Sequence, residues 1–284
     1  MKQAMIFAAG LGTRLKPLTD TIPKALVRVG DEPLLKRVAL RLRAAGFTRV
    51  VINVHHFAPL IIEYLKANNN FGLDIRISDE TNHLLDTGGG LRKAASLFDS
   101  NYPILIHNVD ILSNVNLAEF YALDTQVDNS KSDEQGNLPG ARLLVSWRQT
   151  QRYLLFNDQM HLVGWVNIKT GEVKSPFPEV SLALSKLSFP LNVEAGPQVL
   201  AGLYHAYAFS GIHSFSPRMF PRMEECPDKF PIMDFYLRQC GQVPIKGYVK
   251  HDLRLMDVGK LNTLDDAEIF ARQLELNNNN NNHF

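Results

Sequence analysis

"AAGLGTRLKPLTDTIPKAL", residues 8–26, follows directly on the apolar run Ala4-Met5-Ile6-Phe7. Two glycines, a threonine, an arginine and a Pro-Lys pair crowd the end of what reads as a first buried strand over 4–9. A dinucleotide fingerprint needs a third glycine where Leu15 stands, and a Walker loop needs Gly-Lys-Ser/Thr where the chain has Leu15-Lys16-Pro17. Both patterns fail. What remains is a glycine turn whose N–H groups face an anion, the hydroxyl of Thr13, and two cations, Arg14 and Lys24, with Pro23 fixing the backbone that aims the second.

Working outward, the periodicity predicts a helix over 33–45, with apolar positions Leu34, Leu35, Val38 and Leu42, and a strand over 49–54. Together with the first strand these make a βαβ unit. A helix over 57–67, a strand over 73–77, a glycine-opened helix over 88–98 and a strand over 104–107 continue the alternation. The expected fold is therefore α/β, with a doubly wound, mostly parallel sheet whose ligands gather at the carboxyl ends of the strands. The polar stretch 125–140 offers little to bury and reads as a surface loop. Beyond it, strand patterns at 141–147, 161–167 and 203–215 give the second half an antiparallel character, with helices expected at 230–240 and 264–276. Thr263 and Asp266 have capping-box spacing ahead of the last helix, and residues 277–284 read as a frayed, low-complexity tail.

With 284 residues, 45% of them apolar, the chain is long enough for one large domain over 1–276. Thirty basic against 29 acidic residues leave no excess to draw nucleic acid or a charged membrane, so neither is an expected partner. No run of about 18 apolar residues occurs, and two cysteines, Cys226 and Cys240, lack metal or redox spacing. A cytoplasmic chain, monomer or homodimer, is expected. His55 and His56 lack a third ligand at metal spacing and read as ordinary strand-end residues.

Gly10-Leu11-Gly12-Thr13-Arg14, Pro17-Leu18-Thr19 and Pro23-Lys24 together resemble the signature of the sugar-1-phosphate nucleotidyltransferases, the NDP-sugar pyrophosphorylases. The likeness continues in order through Ala45-Gly46, Thr87-Gly88-Gly89-Gly90, Asn108-Val109-Asp110, Phe209-Ser210-Gly211-Ile212 and Met256-Asp257-Val258-Gly259. The triple glycine is most similar to the N-acetylmuramate-1-phosphate uridylyltransferase branch, with mannose- and heptose-1-phosphate guanylyltransferases near it. The resemblance implies a Rossmann-like, GT-A-like sheet with a nucleotide-binding half over 1–124 and an antiparallel-rich, sugar-binding half over 141–276.

It also implies a reaction. The phosphate oxygen of a sugar 1-phosphate attacks the α-phosphorus of an NTP, with UTP favoured, and pyrophosphate leaves. That phosphate is already largely ionised at pH 7, its second pKa being about 6, so no general base is required. Charge neutralisation and in-line placement are required, which suits Mg²⁺ held by Asp110 and Asp257. By the resemblance, Arg14, Lys24 and Asp110 are catalytic, and Ala9, Gly10, Leu11, Gly12, Thr13, Gly88 and Gly89 contact the nucleotide. Asn108 and Gly211 contact the sugar. Leu11 and the Leu84-Leu85 pair offer an apolar slot for the base. Two departures stand out: Val109 replaces the glycine usual before the metal aspartate, and Leu255 replaces a frequent tryptophan. A non-catalytic, nucleotide-sensing subunit would share the fold, but would not need all four of Arg14, Lys24, Asp110 and Asp257. A dinucleotide-dependent oxidoreductase is disfavoured by the missing third glycine.

Overall fold

Apolar residues at 34, 35, 38, 39 and 42 form one face of a helix, while the strand at 49–54 is buried almost throughout, as a central parallel strand must be. In the computed structural model these are α1 and β4; residues 1–125 and 140–281 are described, with side chains through 276. The chain runs β1 (Gln3–Phe7), β2 (Arg28–Val29), β3 (Glu32–Pro33), α1 (Leu34–Ala44), β4 (Arg49–Val54), α2 (Ala58–Ala67), β5 (Asp74–Asp79) and α3 (Asp86–Lys93). It continues with β6 (Ile104–Asn108), β7 (Ile111–Ser113), α4 (Leu117–Ala122), β8 (Ala141–Ser146), β9 (Arg152–Phe156), β10 (Leu162–Asn167) and β11 (Val173–Lys174). Then come α5 (Pro178–Leu184), α6 (Gly196–Ala201), β12 (His205–Phe215), α7 (Ile232–Gln239), β13 (Ile245–Val249), β14 (Leu255–Asp257) and α8 (Leu264–Asn281).

The large sheet has the order β11-β10-β9-β12-β6-β1-β4-β5, with β8 joined to β12 and β13 to β8. β6, β1, β4 and β5 are mutually parallel, and β12 turns antiparallel against β6. The parallel and antiparallel halves therefore meet inside one sheet. β1 sends its connections both ways, to β4 on one side and eventually to β6 on the other, so the crevice at its carboxyl end is the topological switch point.

Alternation along β1 divides the core. Ala4 and Ile6 pack with α1, α2 and α8 on one face, and Met5 and Phe7 pack with α3 and α7 on the other. A smaller apolar cluster, including Tyr153, Leu155, Val166, Leu184 and Leu200, lies under α5 and α6. Cys226 and Cys240 are both buried free thiols, and burial pushes Cys240 up to about 11.

Three expectations change. Thr263 does not cap α8 through a capping box; its hydroxyl donates backward to the Lys260 carbonyl at 2.8 Å, closing a short 3-10 turn. The backbone of α8 continues helical through the asparagine run to Asn281. The short strands β9 and β13 carry no turn signal that separated them from loop in the sequence, and their partners on the sheet make them strands. The polar stretch read as a surface loop lies, apart from its ends Thr125 and Gly140, outside the described residues. Among the described residues no helix is long and apolar enough to cross a membrane.

Candidate functional site

After β1 the chain turns at Gly12, whose φ of +64° is natural only to glycine. A Cβ there would stand 2.8 Å from Thr19 Cγ2, so the turn needs glycine for space as well. Leu15 N and Thr19 Oγ1 both donate to the Gly12 carbonyl, at 2.8 and 2.9 Å, which folds the loop back on itself. Gly10 has open space where a Cβ would be. The loop is thus tightly built at Gly12 and open at Gly10.

A buried polar relay fixes the base of this loop. Ala8 N donates to Asn53 Oδ1 at 2.8 Å, Asn53 Nδ2 donates to Glu80 Oε1 at 2.7 Å, and Leu85 N donates to Glu80 Oε2 at 3.1 Å. The glycine loop, β4 and the start of α3 are tied together by one carboxylate. Sequence reasoning passed over Asn53 and Glu80, because an Asn and a Glu at strand ends are unremarkable until the topology aligns them.

The loop opens on a cavity of about 410 Å³ lined by Ala9, Gly10, Leu11, Gly12, Thr13, Lys24, Leu84, Asp86, Thr87, Asn108 and Asp110, among others. Its walls are the predicted nucleotide loop and the predicted metal carboxylate. Lys24 forms a charge-assisted hydrogen bond with Asp110, both side chains being largely buried. Asp86 holds a φ of +61°, a conformation costly for a residue with a Cβ, in the cavity wall.

Gly88 and Gly89, expected at the nucleotide, are packed closely against the segment before α7. Their N–H groups are both spent on the Phe230 carbonyl, at 2.9 and 3.2 Å. A Cβ on Gly88 would meet Phe230 Cε2 at 2.3 Å, and one on Gly89 the Asp228 carbonyl oxygen at 2.3 Å. The glycines let α3 press against the segment leading into α7; their neighbours Asp86 and Thr87 face the cavity. Gly89→Ala should therefore lower stability by about 1–3 kcal/mol through overpacking, even though alanine is the better helix former by about 1 kcal/mol. Denaturant midpoints decide this, and a stabilised variant would refute the packing account.

A second, larger cleft of about 940 Å³ adjoins the first, with Phe7, Thr87 and Asn108 in the walls of both. Asp257 and Arg14, both expected at the reacting phosphates, line this larger cleft. Gly259 makes this possible: a Cβ there would stand 2.7 Å from both Arg14 Nη2 and Asp257 Oδ1. Gly211 is buried, with φ +77°, and a Cβ on it would meet Asn108 Nδ2 at 2.8 Å. It clears room for Asn108, which lines both cavities.

Asp257 reaches Asp110 from the far end of the chain. β14 pairs antiparallel with β7, the strand that follows Asp110, and Val258 N donates to the Asp110 carbonyl at 2.8 Å. Desolvation, and next the negative charge of Asp110, raise the pKa of Asp257, against the opposing pull of Lys24, Arg14 and Arg148. The two carboxylates sense each other, so the arrangement favours a cation between them. They are hard oxygen donors, and among the described residues no third His, Cys, Asp or Glu joins them in a metal-binding group. A pair of this kind fits Mg²⁺, which keeps several water or phosphate oxygens of its own.

Arg148 is the functional candidate that the sequence did not disclose. It lies in the loop just beyond β8, lines the larger cleft and donates from Nη2 to the Phe209 carbonyl at 2.8 Å. No glycine signature surrounds it in Ser146-Trp147-Arg148-Gln149, so only the folded sheet brings it near Asp257. Of the two departures noted, Val109 is buried and packs into the core while touching the smaller cavity, and Leu255 packs against the same core from β14. Neither removes a charged group from the site.

Residues 3–136 match the family model described as Nucleotidyl transferase. The chain is 45% identical over 111 residues to an N-acetylmuramate alpha-1-phosphate uridylyltransferase of Caulobacter vibrioides, a match spanning 38% of this chain and 46% of that relative. It is 36% identical over 124 residues to a mannose-1-phosphate guanyltransferase of Kluyveromyces lactis, spanning 42% and 34%. These matches cover less than half the length of the curated relatives. Among solved structures, a UDP-glucose pyrophosphorylase complexed with UDP-glucose aligns over 96% of this chain and 99% of its own, with TM-score 0.67 and 15% identity. HddC from Yersinia pseudotuberculosis aligns over 95% and 100%, with TM-score 0.64 and 19% identity. At such identities the likeness is one of fold.

Proposed function

We propose that this protein, whose residues 3–136 match the nucleotidyl transferase family model, transfers a nucleotidyl group from an NTP, UTP favoured, to a sugar 1-phosphate, releasing pyrophosphate and forming an NDP-sugar. One observation carries the reading: two adjoining clefts share the walls Phe7, Thr87 and Asn108, with Lys24 and Asp110 lining one and Arg14 and Asp257 the other, close enough for Asp257 to feel the charges of the other three. A bimolecular phosphoryl reaction needs two binding volumes with a shared charged seam, and a simple nucleotide sensor needs one.

In this reading the nucleotide lies in the smaller cavity, its phosphates over the glycine turn and Lys24. The acceptor lies in the larger cleft, with Asn108 at the junction. Lys24 and Arg14 neutralise charge that develops on the transferring phosphoryl oxygens, and the rigid turn at Gly12 holds the α-phosphorus in line. No side chain needs to remove a proton, because the attacking phosphate is ionised near pH 7. Asp110 and Asp257 would hold Mg²⁺, which when bound supplies Lewis-acid stabilisation of phosphate charge. Two buried free thiols suit a reducing, cytoplasmic compartment.

Pyrophosphate release, followed over four NTPs and a panel of sugar 1-phosphates with and without Mg²⁺, tests the reading. Mg²⁺-dependent release with UTP is the expected result. The guanyltransferase likeness supports a second reading for the base, and a tenfold preference for GTP, about 1.4 kcal/mol, would install it. Nucleotide binding without release from any pair would overturn the enzyme in favour of a sensing subunit.

A further inference from the structure

The larger cleft is lined by five cations: Arg14, Arg148, Arg152, Lys174 and Lys260. They are not equivalent. Lys174 is committed to Asp234 at 3.0 Å and to Glu172 at 3.7 Å, so much of its charge is answered by the protein. Arg152 and Lys260 are exposed, as Arg148 is, but no partner among the described residues fixes their geometry. Arg148 differs from all of these. Its guanidinium is pinned through Nη2 by a neutral acceptor, the Phe209 carbonyl, which fixes direction while leaving the positive charge unanswered at short range.

The backbone beneath Arg148 is also held. Arg148 N donates to the Ser146 carbonyl at 3.1 Å. The buried Tyr153 hydroxyl donates to the Arg148 carbonyl at 3.4 Å and accepts from Thr150 N at 3.0 Å. The preceding Trp147 packs edge-on against Tyr207, with ring centroids 4.8 Å apart. These supports come from β8, β9 and β12, the antiparallel half of the molecule. Arg148 shares the cleft with Asp257 and Arg14, at the seam where an acceptor must approach the nucleotide. Partial desolvation within the cleft lowers its pKa and the Asp257 carboxylate opposes that fall, which agrees with the placement.

We propose that Arg148 is the acceptor-side phosphate anchor: an arginine tethered by the Phe209 carbonyl that holds the phosphate of the incoming sugar 1-phosphate beside Asp257. A phosphate dianion suits an arginine fork, whose remaining N–H donors reach two oxygens at once. The nucleotide phosphates have Lys24 and the glycine turn, so the two substrates' charges are met from opposite halves of the chain. The proposal rests on the nucleotidyl-transfer reading of the same site.

The test separates the two. Equilibrium binding of α-hexose and N-acetylhexosamine 1-phosphates, and of inorganic phosphate as their shared fragment, is measured on wild type, Arg148→Ala and Arg148→Lys. Binding of NTP to the same variants serves as the control for folding. Arg148→Ala should weaken the sugar 1-phosphate 10- to 100-fold and leave NTP affinity within twofold, while Arg148→Lys recovers part of the loss. Unchanged sugar-phosphate affinity overturns the proposal, as does an equal loss for both substrates or a wild type that binds none of the phosphates. If wild type binds both substrates but releases no pyrophosphate, the transferase reading fails while the Arg148 assignment is decided by the binding data alone.

Discussion

Asp110→Asn and Asp257→Asn should each lower turnover at least about a hundredfold, a loss of roughly 2.7 kcal/mol in transition-state stabilisation, with the fold intact. Each substitution keeps the shape of the side chain and removes one negative charge. Asp110 contacts Lys24, and its charge raises the pKa of Asp257, so the two carboxylates and their cations form one electrostatic unit. Neutralising either member unbalances that unit and, on the proposed reading, would weaken Mg²⁺ retention at the seam. Asparagine at 257 escapes the desolvation and like-charge cost that its parent bears, so stability should hold or rise slightly. Steady-state kinetics over a Mg²⁺ titration, beside thermal unfolding, measure both. Near wild-type rates in both variants would remove the carboxylates from the mechanism.

Lys24→Ala is the second large effect. The Lys24 side chain is mostly enclosed and bonded to Asp110, with the smaller cavity at its head. On the proposed reading its removal takes a cation from the triphosphate, and it leaves Asp110 and Asp257 without that countercharge. A loss of about 1.5–3 kcal/mol in kcat/KM for NTP, roughly 10- to 150-fold, is expected from charged hydrogen bonds of this kind. Arg14→Ala should cost less, since Arg14 is open to solvent and water can take its place. Unaltered NTP kinetics in Lys24→Ala would reduce the Lys24–Asp110 contact to a structural ion pair.

The parallel half of the fold was legible because its signals are local. The run 4–7, the helix face at 34–42 and the strand at 49–54 each show their period in the sequence, and the observed strand and helix bounds fall within a few residues of it. The glycine turn was legible because Gly12 needs both a positive φ and space, and glycine is what that demands. Gly88 and Gly89 show the limit of the same logic. A glycine reports that something comes close, but whether that is a ligand or Phe230 is decided by residues far along the chain. Arg148 was illegible for the complementary reason: its importance lies in the Phe209 carbonyl and the Asp257 carboxylate, which only the sheet order places beside it. The Asn53–Glu80 relay was hidden likewise, since a buried hydrogen-bonded pair has no periodicity to announce it.

The short ladder between β7 and β14 has a consequence for the order in which the molecule becomes competent. The glycine turn, Lys24 and Asp110 leave the ribosome early, and the strands β1, β4 and β6 that frame them are neighbours in the finished sheet. Asp257 follows much later in the chain, and it joins them by adding a strand to β7. A nascent chain can thus carry every residue that lines the smaller cavity while one carboxylate of the seam is still unsynthesised. A chain that stops before residue 257 would therefore hold the lining of the first cavity and Asp110 without the second carboxylate of the seam.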